Sequence, residues 1–238
     1  MADDDGDSLE HRIIEIAREA AAAGKPLPGE PGLSRQLGVS RPALREVLAR
    51  LEHDGLFLRR RGAGTIVNPG AFEVEVRFDQ QAEFADVLAE AGYTPTLELI
   101  ERSLVEIDEE DAEVLHLPPG APALRTVKRW RADGRAALVA LDIVPIPVAR
   151  AEELLAADVG LFQLVRDVLG ESLDWELVWP GAVAANATLS TWLEVPATTA
   201  LMSLDLIGIS RAGQRVYRAR EYVAPGIIRS GFVRTVRS

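Results

Sequence analysis

The chain has 238 residues, 47% of them hydrophobic, no cysteine and a formal charge of −11. That length supplies one or two domains with real cores. The composition excludes disulfides, thiolate chemistry and cysteine metal sites, and no apolar run is long enough to cross a membrane.

Residues 1–8 are acidic (Asp3, Asp4, Asp5, Asp7) and read as a disordered N-terminus. They carry no signal-peptide pattern, so a cytoplasmic location is expected. Residues 9–23 form a helix with an apolar stripe at Ile13, Ile14, Ile16, Ala17 and Ala20, closed by Gly24. An extended connector, KPLPG, follows. Residues 33–39 (LSRQLGV) then give a short amphipathic helix and a tight turn, and residues 40–52 (SRPALREVLARLE) a second helix. Leu44, Val47, Leu48 and Leu51 recur at the spacing of one buried helical face. Ser40 suits the N-cap, and Pro42 falls in the first turn, where a missing N–H costs little. Arg41 and Arg45 are four apart, so they stack on a face away from that stripe. Arginines so placed can bond guanine edges or clamp phosphate in a major groove. Arg59-Arg60-Arg61 then runs into Gly62-Ala63-Gly64, a cationic hairpin whose glycine tip permits close backbone approach. Helix, turn, helix and two-stranded wing make a winged helix-turn-helix over residues 9–68.

The charge is divided to match. Residues 9–68 carry ten Lys and Arg against seven Asp and Glu, a surplus of +3, whereas residues 69–238 carry −10 and the first eight −4. The basic surplus thus lies where the motif is, and DNA binding should be strongly salt dependent.

Asn68-Pro69-Gly70 is a turn signal at a domain boundary, with residues 69–78 as linker and 79–238 as a second domain. Residues 73–78 read as a strand or an extended linker. The rest reads in order as a helix at 81–91, a strand at 96–105, a helix at 108–115, a hairpin (123–131 and 137–144) around Asp133-Gly134, short helices at 147–155 and 161–169, a strand from 173, a helix at 189–193, a second hairpin (201–209 and 215–223) around Ala212-Gly213, and a last strand within 232–236. A weak internal repeat lays residues 115–144 on 192–223, each copy a short helix, a Pro-containing turn and a hairpin. Gly134 to Asp142 and Gly213 to Glu221 have the same separation. Duplicated helix–hairpin units argue for one antiparallel sheet with helices on a face, an α+β domain.

Residues 9–68 resemble the winged helix-turn-helix of the GntR transcription regulators on the strength of LPGEPGLSRQLGVSRPALREVL and RRRGAGTIV. Residues 72–238 resemble the UTRA effector domain of the HutC subfamily, with its chorismate-lyase-like fold, through GYTPT at 92–96, the LPPGAP turn, RADG at 131–134 and the second hairpin. The resemblance implies a homodimeric repressor-type regulator that binds a pseudo-palindromic operator and responds to a small-molecule effector. By position it implies DNA contacts from Arg41 and Arg45, a wing tip at Arg61 and Gly62, and phosphate contacts at Ser40 and Thr65. The chain departs from the pattern at Pro31, where the family has an arginine, and at Gly29, where it has a serine N-cap.

For the effector, the resemblance implies an anion held by two arginines at alternate strand positions, matched by Arg129 and Arg131. The alternative is that these arginines pair with the domain's many acids. Gly160 stands where the family has a serine opening an anion-binding helix, and Ala140 and Tyr217 stand where it has sugar-binding glutamates. A phosphorylated amino sugar is therefore not supported, and a different ligand is expected, with an acidic one still among the candidates. Arg218, Arg220, Glu221 and Tyr222 are further lining candidates. Two other functions stay open: a DNA-binding dimer whose second domain senses nothing, and an enzyme. No nucleophile–base pairing or metal spacing supports the latter, so no enzyme and no cofactor is expected, and fold alone carries no activity.

Overall fold

The computed structural model describes residues 3–60, 64–74, 76–77, 83–156, 160–170 and 173–234. The chain divides into two compact units, residues 1–81 with 229–238, and residues 82–228.

In the first unit, helix α1 spans Asp3–Ala22, α2 Glu30–Leu37 and α3 Arg41–His53. Helix α1 begins six residues before the expected start at residue 9, because an acidic run suits a helix N-terminus. Gly38 takes the left-handed conformation (φ 70°) that ends α2 and turns the chain. Ser40 then opens α3, its hydroxyl accepting from the Ala43 N–H at 3.3 Å. Leu44, Val47, Leu48 and Leu51 are buried and pack with Ile13, Ala17 and Leu33 in one core. Strands β1 (Phe57–Arg60) and β2 (Gly64–Val67) form the antiparallel wing. A short 3-10 turn at Pro69–Glu73 follows, and β3 (Val76–Arg77) pairs in parallel with β10 (Ser230–Gly231). The final strand expected within 232–236 is thus displaced to Ser230–Gly231. Residues 232–234 are not strand, and residues 235 and 236 lie outside the described residues.

The second unit is built on one six-stranded antiparallel sheet in the order β4-β5-β6-β9-β8-β7. After α4 (Phe84–Glu90), the chain runs β4 (Pro95–Glu106), α5 (Glu109–Leu115), β5 (Pro122–Ala132) and β6 (Arg135–Pro145). Helices α6 (Ala151–Ala156) and α7 (Leu161–Leu169) intervene. The second half repeats the first: β7 (Leu173–Ala184), α8 (Ala187–Leu193), β8 (Ala200–Ser210) and β9 (Arg215–Val223). The halves meet at β6 and β9, so the sheet order is a palindrome of the repeat.

The correspondence reaches single residues. Asp108 and Asn186 cap α5 and α8 through side-chain oxygens, and His116 and Glu194 end those helices at φ 57° and 56°. Ile107 N–H donates to Ala121, as Ala185 N–H does to Thr199. Gly120 (φ 80°) and Thr198 (φ 68°) occupy the same place in the two copies.

Helices cover both faces of this sheet, where the sequence expects one. On one face α5 reaches β9 through Arg218, and α8 packs Leu189 and Leu193 near Val127 and Val139. On the other, Phe84 of α4 meets Trp130 and Phe162 of α7 meets Tyr217, both edge-to-face.

A β-branched residue at positive φ is strained, and the first copy of the repeat solves the same turn with glycine. Thr198 is exposed, so its side chain has little packing to lose. Thr198→Gly should raise unfolding free energy by about 1 kcal/mol, read by urea denaturation; an unchanged or lower midpoint would contradict the strain.

Candidate functional sites

In the first unit, Arg41 and Arg45 are both exposed on α3, away from its buried stripe. Arg41 has no ionic partner among the described residues. Arg45 does: its guanidinium lies 2.7 Å from the Glu30 carboxylate at the start of α2, with the arginine side chain 63% exposed. Glu30 stands where Gly29 supplies no side-chain cap and Pro31 fills the first turn. Thr65 is half-buried on β2, opposite Arg59 in the wing ladder. Arg61 and Gly62 lie outside the described residues.

In the second unit, the expected effector residues do not converge. Alternation along β9 sends Tyr217, Ala219 and Glu221 to one face of the sheet and Arg218, Arg220 and Tyr222 to the other. Register places Arg129 opposite Val139, and Val139 opposite Tyr222, on the second of these faces. Gly160 instead caps α7, the helix that packs on the Tyr217 face.

Arg129 and Arg131 share one face, as expected, but acids already hold them. Arg129 lies 2.6 Å from Glu98 and donates to the Trp192 carbonyl at 2.8 Å. Arg131 lies 2.5 Å from Glu194 and donates to the Gly134 carbonyl at 2.9 Å. The hydrogen bond from Arg129 holds the Glu98 carboxyl below its ordinary range, and the bond from Arg131 does the same for Glu194. The quartet fastens the end of α8 to β4 and β5. Arg218 and Arg220 are likewise taken up, by Glu110 and Asp111 of α5 and, for Arg218, Asp205 of β8. In this structure Arg129 and Arg131 are thus paired with acids, the arrangement that the alternative describes, and an anion clamp there would have to displace Glu98 and Glu194.

The opposite face carries a group of enclosed polar side chains. Lys128 of β5 lies 3.1 Å from Asp142 of β6, and the Thr126 hydroxyl donates to the same oxygen at 2.9 Å; all three are buried. The Tyr217 hydroxyl donates to Glu176 of β7. It reaches across β8 because residue 208 is glycine: a Cβ there would meet the Tyr217 ring at 2.2 Å. Burial pushes the Tyr217 hydroxyl well up, with the Glu176 charge adding to it. Burial also raises Glu176, against the hydrogen bond from Tyr217. Glu221 of β9 completes the group. Burial, with the charges of Asp142 and Glu176, pushes its carboxyl up to about 8. It is largely enclosed but not fully buried. Among the described residues it has no hydrogen-bond or ionic partner. Of this face the sequence pointed to Tyr217 and to Glu221, and to Gly160 as the cap of α7. It missed Lys128, Asp142 and Glu176, although the matched spacing of Asp142 and Glu221 in the repeat was a usable signal.

Comparison with known proteins agrees with this architecture. A family model for the bacterial regulatory proteins of the gntR family matches residues 7–67, and one for the UTRA domain matches residues 90–226. The HTH-type transcriptional repressor NagR of Bacillus subtilis (strain 168) is 33% identical over 107 residues, 45% of this chain and 43% of that protein. A putative L-lactate dehydrogenase operon regulatory protein of Escherichia coli (strain K12) is 45% identical over 67 residues, 28% of this chain and 25% of that one. The chain thus matches less than half the length of these relatives. Among solved structures, a possible transcriptional regulator YydK from Bacillus subtilis aligns with TM-score 0.71 at 15% identity, covering 98% of this chain and 99% of that one. PhnF from Mycobacterium smegmatis aligns with TM-score 0.58 at 21% identity, covering 90% and 92%. At such identities the likeness is one of fold.

The Glu221 carboxyl gives a pH signature. Its folded value, about 8, lies above the ordinary carboxyl value of 4.5. Between the two, the folded state binds the extra proton, so its stability falls as pH rises. The slope from this group approaches about 1.4 kcal/mol per pH unit in that window. Thermal melts should show Glu221→Gln gaining on wild type from about pH 5 to pH 8; parallel curves would show that Glu221 titrates normally.

Proposed function

Because the chain belongs to the bacterial regulatory proteins of the gntR family and carries a UTRA domain, we propose that it is a sequence-specific DNA-binding repressor controlled by a small molecule held in its C-terminal domain. The observation that carries this reading is the α2–turn–α3 unit, whose Ser40-capped second helix fixes its apolar stripe inward and leaves Arg41 and Arg45 outward. Ser40 and Thr65, with Arg61 and Gly62 of the wing, supply the remaining backbone contacts, which set register without reading sequence. The pair between Arg45 and Glu30 is exposed and worth roughly 0–1 kcal/mol, so phosphate or a base edge displaces it cheaply. The combination of this head with a UTRA domain supports a reading of the chain as a HutC-type member of the family.

The effector lies on the Tyr217 face, near Gly160, rather than on the face of Arg129, Arg131, Arg220 and Tyr222. A homodimer is expected because paired half-sites need paired heads. Its surface is the outer strand β7, where Trp175 and Trp179 are 57% and 51% exposed on one side with Leu177 between them. A long edge strand with an open aromatic stripe invites a second copy of the same strand.

Fluorescence anisotropy on the gene's own upstream duplex tests the DNA role. Arg41→Ala/Arg45→Ala should weaken specific binding by about 2 kcal/mol or more and flatten the salt slope. Equal affinity of wild type for this and random duplex would count against the reading. Trp175→Glu/Trp179→Glu should sediment as a monomer and lose at least about tenfold in operator affinity; an unchanged dimer would move the interface elsewhere.

A further inference from the structure

The two halves of the sheet place acids at equivalent positions on one face. Asp142 on β6 and Glu221 on β9 each lie eight residues beyond the hairpin glycine of their copy. In the central ladder Asp142 faces Ala219 and Ala140 faces Glu221, so the acids straddle the line where the halves meet. Their surroundings differ. In the first half, Thr126 lies directly opposite Asp142 and Lys128 two residues along, and both bind its carboxylate. In the second half, Leu204 lies directly opposite Glu221 and Leu206 two residues along. The repeat has kept the acid and replaced both of its partners with apolar side chains.

A buried carboxylate without a partner is strongly disfavoured unless it stays protonated or something completes it. Around Glu221 the neighbours add no positive charge: Glu176 is taken by Tyr217, and the Lys128 ammonium is committed to Asp142. The residue nevertheless keeps part of its surface accessible, on the face it shares with Tyr217 and Glu176. An anion would meet three carboxylates there and one ammonium already paired.

We propose that Glu221 is the anchor for a small organic cation, an ammonium or amidinium group on the effector, which takes at Glu221 the place that the Lys128 ammonium takes at Asp142. This rests on the reading of the second domain as an effector domain and names the ligand class. The cation completes the ion pair that the second half of the sheet lacks. Leu204 and Leu206 flank it with apolar side chains, and Glu176 and Tyr217 lie on the same face of the sheet.

The test is isothermal calorimetry on the full chain with putrescine, agmatine, histamine and methylammonium, against phosphate and citrate, each to millimolar concentration. At least one amine should bind, and Glu221→Gln should weaken it by about tenfold or more, since a charge-assisted bond is lost. Leu206→Lys is the second variant. It installs the missing ammonium internally, so it should fold, abolish amine binding and restore an ordinary Glu221 titration. The proposal is overturned if no amine binds, if an amine binds Glu221→Gln as tightly as wild type, or if only the anions bind. Operator anisotropy on the same samples separates the two readings. Operator binding without amine binding overturns the cation site alone, and amine binding without operator binding overturns the regulatory role alone.

Discussion

The pairing of β6 with β9 is the joint on which the second domain depends. Six residue pairs, from Leu138–Val223 to Ile143–Arg218, join two halves that otherwise hold together through their own hairpins. Within the joint the small side chains of Ala140 and Ala219 face the two acids, Ala140 opposite Glu221 and Ala219 opposite Asp142. Everything distinctive about the domain follows from what the joint brings together. It places β5 and β8 symmetrically outside it, so Lys128 and Leu206 become counterparts. It puts the acids of two distant hairpins on neighbouring strands, where the Asp142 charge raises the cost of ionising Glu221.

The two faces of the sheet use charge differently. On the face of α5 and α8, arginines and carboxylates neutralise one another in two networks. In one, Arg218 is buried and bonded to three acids, which hold its charge on although burial works against it. Removing one member of such a network strands its partners, so it fixes the position of α5 on β9 rather than offering a ligand site. The quartet of Arg129, Arg131, Glu98 and Glu194 does the same for α8, although its glutamates are about half exposed and each bond contributes less. The face of α4 and α7 is the reverse: fewer charges, more deeply enclosed, and one of them left over. The proposed effector site follows from that imbalance: the arginines, however suggestive in sequence, have their charge already matched by acids.

Much of the architecture was legible in the residues. The helix-turn-helix was plain because cap, glycine turn and apolar stripe each constrain it independently, and in the structure Ser40, Gly38 and Leu44–Leu51 do what their types dictate. The hairpins at Gly134 and Gly213 followed from turn chemistry, and the repeat foreshadowed the palindromic sheet. Three things were not legible. The start of α1 depended on a weak acidic signal. The parallel pairing of Val76 with Ser230 links residues with no local relation. The partners of Arg129 and Arg131 come from β4 and from the end of α8, remote in sequence, so alternation could place the arginines on one face but could not say that Glu98 and Glu194 would meet them there.

The head poses its own electrostatic problem. Where the family pattern has an arginine in the first turn of α2, this chain has Pro31, and the neighbouring Glu30 is retained. A carboxylate facing phosphate without a compensating cation opposes docking, since like charges at short range cost more than an exposed pair gains. Arg45 resolves this by reaching back from α3 to Glu30. In the free protein it cancels the one negative charge of that turn and is held near the groove-facing side of the recognition helix. On the proposed DNA-binding reading the arginine would have two alternative partners, a carboxylate within the protein and an anion or base edge on DNA. Exchanging one for the other would cost little, and Arg41, which has no ionic partner among the described residues, would add its charge beside it. Recognition by such a head would lean on α3 and the wing, with α2 contributing its packing and its N-terminal backbone rather than a side-chain cation.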